Sequence, residues 1–244
     1  MLFDVYLELG NVNDAVNSLN EFKNFSDFDY LIRLSKYSDH QGDLDSAIRY
    51  LEKALVIAEA SNIDDTKQWT YTNLADYYGH AGRIKDSYNY YLKALQLDKS
   101  NAYAKKGIAW ILYSHENNTE EALRILDHIS NYYKAPDYDL LKAEIADYQN
   151  DVVAKEINTN AYLEAIQKPE YGDMYNVRTA EILMSEKNTF DLALEIAQKE
   201  VQNRPTPLSY DLLAYTYYQK GEYKKALEIA ETYVVDKTYE PIAQ

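Results

Sequence analysis

The sequence predicts an all-α fold, a solenoid of about six to seven helix–turn–helix repeats. Three observations carry that reading. The 244 residues hold only 7 Gly and 5 Pro, so breakers are sparse and long regular elements with short turns are expected. Apolar and small residues return at intervals of three and four, the helical period. One block of this pattern, a helix, a Gly-marked stop and a second helix, recurs at about 34 residues. The 26 Tyr favour strands by propensity alone, but the period decides for helices.

The elements follow in order. A partial unit over 1–26 carries "LELGNVNDAVNSLNEF", with Gly10, Val12, Ala15, Leu19 and Phe22 in phase. The unit at 28–61 contains "LSKYSDHQGDLDSAIRYLEKAL", where Leu34, Ser35, Gly42, Leu44, Ala47, Leu51 and Ala54 set the spacing. Ser61 to Lys67 reads as a longer connector, its acids capping a helix from Lys67. The unit at 68–101 repeats the spacing with Leu74, Ala75, Tyr78, Gly82, Ile84, Ser87, Tyr91 and Ala94. At 102–134 the turn "HENNTEE" is one residue longer, and Ala122, Leu126 and Ile129 hold the second helix.

Two degenerate units come next. The pair at 136–167 is read from Leu140, Leu141, Ile145, Val152, Val153 and Ile157, and the pair at 172–203 from Ala180, Met184, Phe190, Ala193 and Ala197. Lys168 to Asp173 forms another connector. The last unit, 207–238, matches the one at 68–101 through Leu213, Ala214, Tyr217, Gly221, Tyr223, Ala226 and Ala230. Gly82 and Gly221 stand where a first helix must stop, since Gly accepts the left-handed C-cap conformation. Ala47, Ala75, Ala214 and Ala226 let two helix backbones approach; a larger side chain would overpack by about 1–3 kcal/mol. Tyr78 and Tyr91 are expected in the interior, each ring filling space between helices with its hydroxyl at a polar edge. "DKTYEPIAQ" at the close reads as the start of a further first helix. With half a unit at each end, the pattern is that of a piece of a longer protein, or of a chain that caps itself as a homodimer through uncapped ends.

This arrangement of Leu74-Ala75, Tyr78, Gly82, Ile84, Ser87, Tyr91 and Ala94, returning at Leu213-Ala214, Tyr217, Gly221, Tyr223, Ala226 and Ala230, resembles the tetratricopeptide repeat. The family's Trp near the start of the first helix is replaced by Leu31, Tyr71, Lys105 and Tyr210, and its Pro after the second helix by Lys99. The resemblance implies a single right-handed superhelical domain over 1–244 whose first helices line a concave groove for a protein or peptide.

Bulk properties narrow the partners. The formal net charge is −15, which repels phosphate backbones and anionic membranes, so neither nucleic acid nor a membrane is an expected partner. With no cysteine there are no disulfides, thiol nucleophiles or Cys-based metal sites. No apolar run approaches the roughly 18 residues that span a bilayer, and "MLFDVYLELG" lacks the pattern of a signal peptide.

Chemistry is sparse. His40 and His80 both lie two residues before a Gly, and His115 falls near the equivalent place in the next unit. Packed helices lie roughly 8–10 Å apart, whereas Zn–N bonds are about 2.0–2.1 Å. Such imidazoles read as polar helix ends at the groove edge, and neither metal nor cofactor is expected. "IDDT", Ile63 to Thr66, lacks the further acids of a Mg²⁺ site. No phosphate-cradling, dinucleotide, nucleophile-elbow or zincin motif occurs.

The candidate site is therefore the groove face of the first helices, left over once packing positions are assigned. It comprises Asp29, Arg33, Lys36, Asp39 and His40; Trp69, Asn73, Asp76 and His80; Tyr103, Lys106, Trp110 and Tyr113; and Asp211, Tyr215 and Tyr218. Both tryptophans fall in this set, and Trp and Tyr anchor interfaces well. The subfamily that clamps acidic chaperone tails uses Lys and Asn; only Asn73 matches, with Ile32, Tyr103 and Gly107 at other positions of that set. The groove instead suits a peptide with apolar and basic groups. A non-enzymatic interaction scaffold is the first reading, a regulatory input module of a larger sensor or transcription regulator the second, and a helical hydrolase the third.

Overall fold

The computed structural model describes residues 2–185 and 189–238. Among the described residues all regular structure is helical, with no strand. Two compact units are present, one over Leu44–Glu170 and one combining the chain up to Asp43 with the chain from Tyr171 onward. Residues 239–244, where a further helix is expected to begin, lie outside the described residues.

The unit over Leu44–Glu170 holds α4 (Leu44–Ala60), α5 (Asp64–His80), α6 (Ile84–Leu97), α7 (Ala102–Ser114), α8 (Thr119–Ser130), α9 (Pro136–Tyr148) and α10 (Val152–Ala165). Each helix packs on the next in the chain, and α7 also touches both α5 and α9. Ala75, Tyr91, Ala94, Ala104, Ile108 and Ile111 form one core cluster. Ala122, Leu126 and Ile129 join Tyr138, Leu141 and Ile145 in another. Each fully buried Leu or Ile contributes about 1.5–3 kcal/mol.

The hairpin turns share one device. The α5–α6 turn places Gly82 at φ +70°, and the Arg83 N–H donates back to the Tyr78 carbonyl at 2.8 Å, closing the orphan end of α5. Asn117 (φ +54°) and Asn150 (φ +58°) take the same left-handed place after α7 and α9. Asn reaches this region more readily than other non-glycine residues.

Three local expectations are corrected. α5 begins at Asp64 rather than Lys67. Asp64 and Asp65 therefore sit in its first turn, where carboxylates complement the helix dipole, and Asp64 pairs with Lys67 at 3.1 Å. Val152, Val153 and Ile157 lie on a helix but are exposed, Val152 by 74%. At 3.6 residues per turn Val153 and Ile157 stand across α10 from Tyr162, which is fully buried. Phe22 lies beyond α2 and is exposed.

The other unit contains α1 (Leu2–Glu8), α2 (Val12–Asn20), α3 (Phe28–His40), α11 (Asn176–Leu183), α12 (Phe190–Asn203), α13 (Pro207–Gln219) and α14 (Tyr223–Tyr233). Phe3, Leu7, Ala15, Leu19 and Tyr30 form its N-terminal cluster. Ala180, Ala193, Ala197, Leu212, Tyr217 and Ala226 belong to its C-terminal one. The α1–α2 turn meets the start of α13, since a Cβ on Gly10 would lie 3.5 Å from the Pro207 Cδ.

Candidate functional site

The candidate residues fall into two places, one in each unit. On α5 and α7 the helical phase leaves Trp69, Tyr103 and Trp110 exposed, Trp69 by 44% and Trp110 by 38%. Their neighbours are engaged by other parts of the same unit. Asp76 accepts a hydrogen bond from the Tyr91 hydroxyl of α6 and another, at 2.7 Å, from the Tyr103 hydroxyl of α7. Burial holds the Asp76 carboxyl above its ordinary range, while the two phenols, His80 and Lys106 pull it the other way. Burial and the Asp76 charge push the Tyr91 phenol far up.

Tyr91 reaches Asp76 by lying flat across α7 at Gly107. A Cβ there would stand 2.2 Å from the Tyr91 Cζ. The side-chain amide of Asn73 donates to the Trp69 carbonyl at 2.7 Å. Lys106 lies 3.9 Å from Asp137 on α9 and over the Tyr103 ring. Tyr113 meets Tyr148 edge-on, ring centres 5.6 Å apart; burial and then Glu144 raise its phenol. His80 ends α5 at the surface, and Trp110 packs on His115, ring centres 5.2 Å apart.

In the second place, Lys36, Asp39 and His40 of α3 and Asp211 and Tyr215 of α13 line one cleft of about 790 Å³. Leu7, Glu8 and Gly10 add a wall from the α1–α2 hairpin, and Val177 and Glu181 add one from α11. Lys36 pairs with Glu8 at 3.0 Å, Glu181 with Arg178 at 2.7 Å, and Arg204 with Glu200 at 2.7 Å. Burial raises the Asp211 carboxyl with no opposing cause. Arg33 does not line the cleft; it bonds to Asp4 of α1 at 3.1 Å and to the Asp29 carbonyl at 2.8 Å. Tyr218 lies parallel to Tyr215, centres 6.5 Å apart. Glu8, Glu181 and Arg204 escaped the sequence reading because they come from the end of α1 in a partial unit, a degenerate unit and a loop.

Among the described residues no helix is long and apolar enough to cross a membrane, and no three His, Cys, Asp or Glu side chains are grouped to hold a metal ion.

A tetratricopeptide-repeat family model matches residues 38–100. No match emerged among curated protein sequences. Among solved structures, yeast Tom70 is 16% identical, with a TM-score of 0.56 over 90% of this chain and 55% of that one. A tetratricopeptide repeat protein from Parabacteroides merdae is 20% identical, with a TM-score of 0.46 over 88% of this chain and 80% of that one. A human IFIT1 dimer with PPP-AAAA is 14% identical, with a TM-score of 0.49 over 91% of this chain and 56% of that one. The chain thus spans about half the length of the Tom70 and IFIT1 chains. Tetratricopeptide repeats in general serve as protein-interaction scaffolds and are typically non-enzymatic. Residues 38–100 thus match the tetratricopeptide-repeat model, and the likeness of the chain to Tom70 is one of helix-hairpin fold.

Proposed function

We propose that the chain is a non-enzymatic scaffold that holds a protein or peptide segment, of apolar and basic character, against the first helices of its repeats. The observation that carries this is the exposure of both tryptophans, Trp69 and Trp110, on α5 and α7 with Tyr103 also exposed on α7. The exposed part of each ring gives the fold no burial energy, yet such rings dominate binding energy when a partner covers them. The acidity of the chain, −15 overall, favours a basic partner and opposes a phosphate backbone.

The test pairs capture with measurement. Partners retained from native extract by the wild-type chain are purified, and binding is followed by tryptophan fluorescence for wild type, Trp69→Ala and Trp110→Ala. Loss of a central anchor is expected to weaken binding by about 2 kcal/mol, roughly thirtyfold, with the circular-dichroism spectrum unchanged. A partner bound equally well by both variants and by Tyr215→Ala would refute the placement on the first helices.

A further inference from the structure

The cleft between α3 and α13 contains an uncompensated charge. Four carboxylates line it, Glu8, Asp39, Glu181 and Asp211, against the cations Lys36 and Arg204. The folded chain has already paired Lys36 with Glu8, Arg204 with Glu200 and Glu181 with Arg178. Asp39 and His40 are engaged as well. Asp211 alone of the four carboxylates has neither a hydrogen bond nor an ion pair among the described residues, although it is partly buried. A carboxylate drawn from water without a partner is unfavourable for the fold, and a cationic ligand would relieve it.

The walls define the rest of the ligand. Leu7, Pro207, Leu208, Leu212 and Tyr215 supply apolar surface beside that carboxylate, and about 790 Å³ is within the usual range of ligand sites. An apolar stem ending in a cation fits both features, and Lys and Arg side chains have that form. A divalent cation fits poorly, because no three acidic or imidazole groups are grouped for it among the described residues. The chain's own residues 239–244, Tyr-Glu-Pro-Ile-Ala-Gln, contain no Lys or Arg to supply the charge.

We infer that this cleft is a receptor for an arginine or lysine side chain of a bound peptide, with Asp211 as its counter-ion and Tyr215 and Leu208 against its stem. The inference rests on the scaffold reading and gives it a chemical preference. The side chain binds non-covalently, with no bond made or broken.

The probe is the capped tripeptide acetyl-Leu-Arg-Leu-amide, compared with the same peptide carrying citrulline, which keeps the shape and loses the charge. Both are titrated into the ¹⁵N-labelled chain to about 10 mM, far enough to reveal a millimolar site. Shifts are expected at the amides of Asp211, Tyr215 and Lys36, with citrulline bound at least about tenfold more weakly. Asp211→Asn removes no internal contact, so its spectrum stays native while its affinity for the arginine peptide falls by a similar factor. No shifts at the cleft, equal binding of the citrulline peptide, or undiminished binding by Asp211→Asn would each overturn the inference. None of these results touches the scaffold reading, which is tested by Trp69→Ala, Trp110→Ala and Tyr215→Ala with the captured partner.

Discussion

The α5–α7 face and the α3–α13 cleft are both built from first helices of repeats, yet they treat their polar groups in opposite ways. On the α5–α7 face Asp76 is shared between Tyr91 and Tyr103, Asn73 is folded back on its own helix, and Lys106 sits near Asp137. What is most exposed there is aromatic, Trp69, Tyr103 and Trp110. In the cleft the aromatic wall is Tyr215 and the unspent group is Asp211. A polar group that folding has already satisfied offers a ligand little, because its internal bond must be given up first; an unsatisfied one offers its full interaction. In the proposed scaffold the first place would supply affinity through apolar contact and the second discrimination by charge.

The comparison breaks most sharply at Gly107. Replacing it with Ala puts a methyl group 2.2 Å from the Tyr91 ring and 2.6 Å from both of its Cε atoms. The ring is held from its far end by Asp76, so it cannot shift without losing that bond. Gly107→Ala is expected to cost about 3 kcal/mol, the upper range for overpacking, read as a lower urea midpoint. Gly79→Ala is the internal control. Its new Cβ meets nothing closer than the Ser87 Oγ at 3.4 Å, and Ala over Gly inside a helix favours the fold by roughly 0.8–1 kcal/mol.

A smaller effect follows from removing the acceptor itself. Asp76→Leu leaves the buried Tyr91 hydroxyl without its partner, while the exposed Tyr103 hydroxyl turns to water. The expected loss is about 2 kcal/mol. Asp76→Asn keeps an acceptor oxygen for one phenol and sheds the desolvated charge, so its cost is smaller. If Asp76→Leu were as stable as wild type, the face would not be held by this carboxylate, and the contrast with the cleft would collapse.

Much of this was legible in the sequence where chemistry and period agree. Gly82 and Gly221 announce their turns because glycine accepts a positive φ freely. Asn117 and Asn150 make the same turn, but Asn has many other uses, so the units at 102–134 and 136–167 look weaker than they are. Helical phase assigns Trp69, Tyr103 and Trp110 to a non-packing face, and they are exposed. Phase failed for Val152, Val153 and Ile157, where apolar identity stood in for burial. It also could not show that Asp76 is already occupied, since its two partners come from α6 and α7. The cleft was still further from reach. Leu7 and Pro207 belong to opposite ends of the chain, and no local periodicity connects them.

The smallest expected effect concerns Asp211 and tests the contrast from the other side. Burial raises its carboxyl above the ordinary value of 3.8. The folded chain then binds this proton more tightly than the unfolded chain does. The resulting stabilisation is fully present below the unfolded value and is lost as pH rises through the folded one. Asp211→Asn has no such dependence. Glu8, Asp39, His40, Glu181, Lys36 and Arg204 line the same cleft in both proteins. The stability of Asp211→Asn relative to wild type is therefore expected to be higher at pH 7 than at pH 3. The change should stay below about 1 kcal/mol, because solvent screens a half-exposed carboxylate. Urea midpoints measured at both pH values decide it. A variant that is instead less stable at pH 7 would mean that Asp211 makes a favourable contact in the folded chain, and the cleft would then be as fully satisfied as the face on α5 and α7.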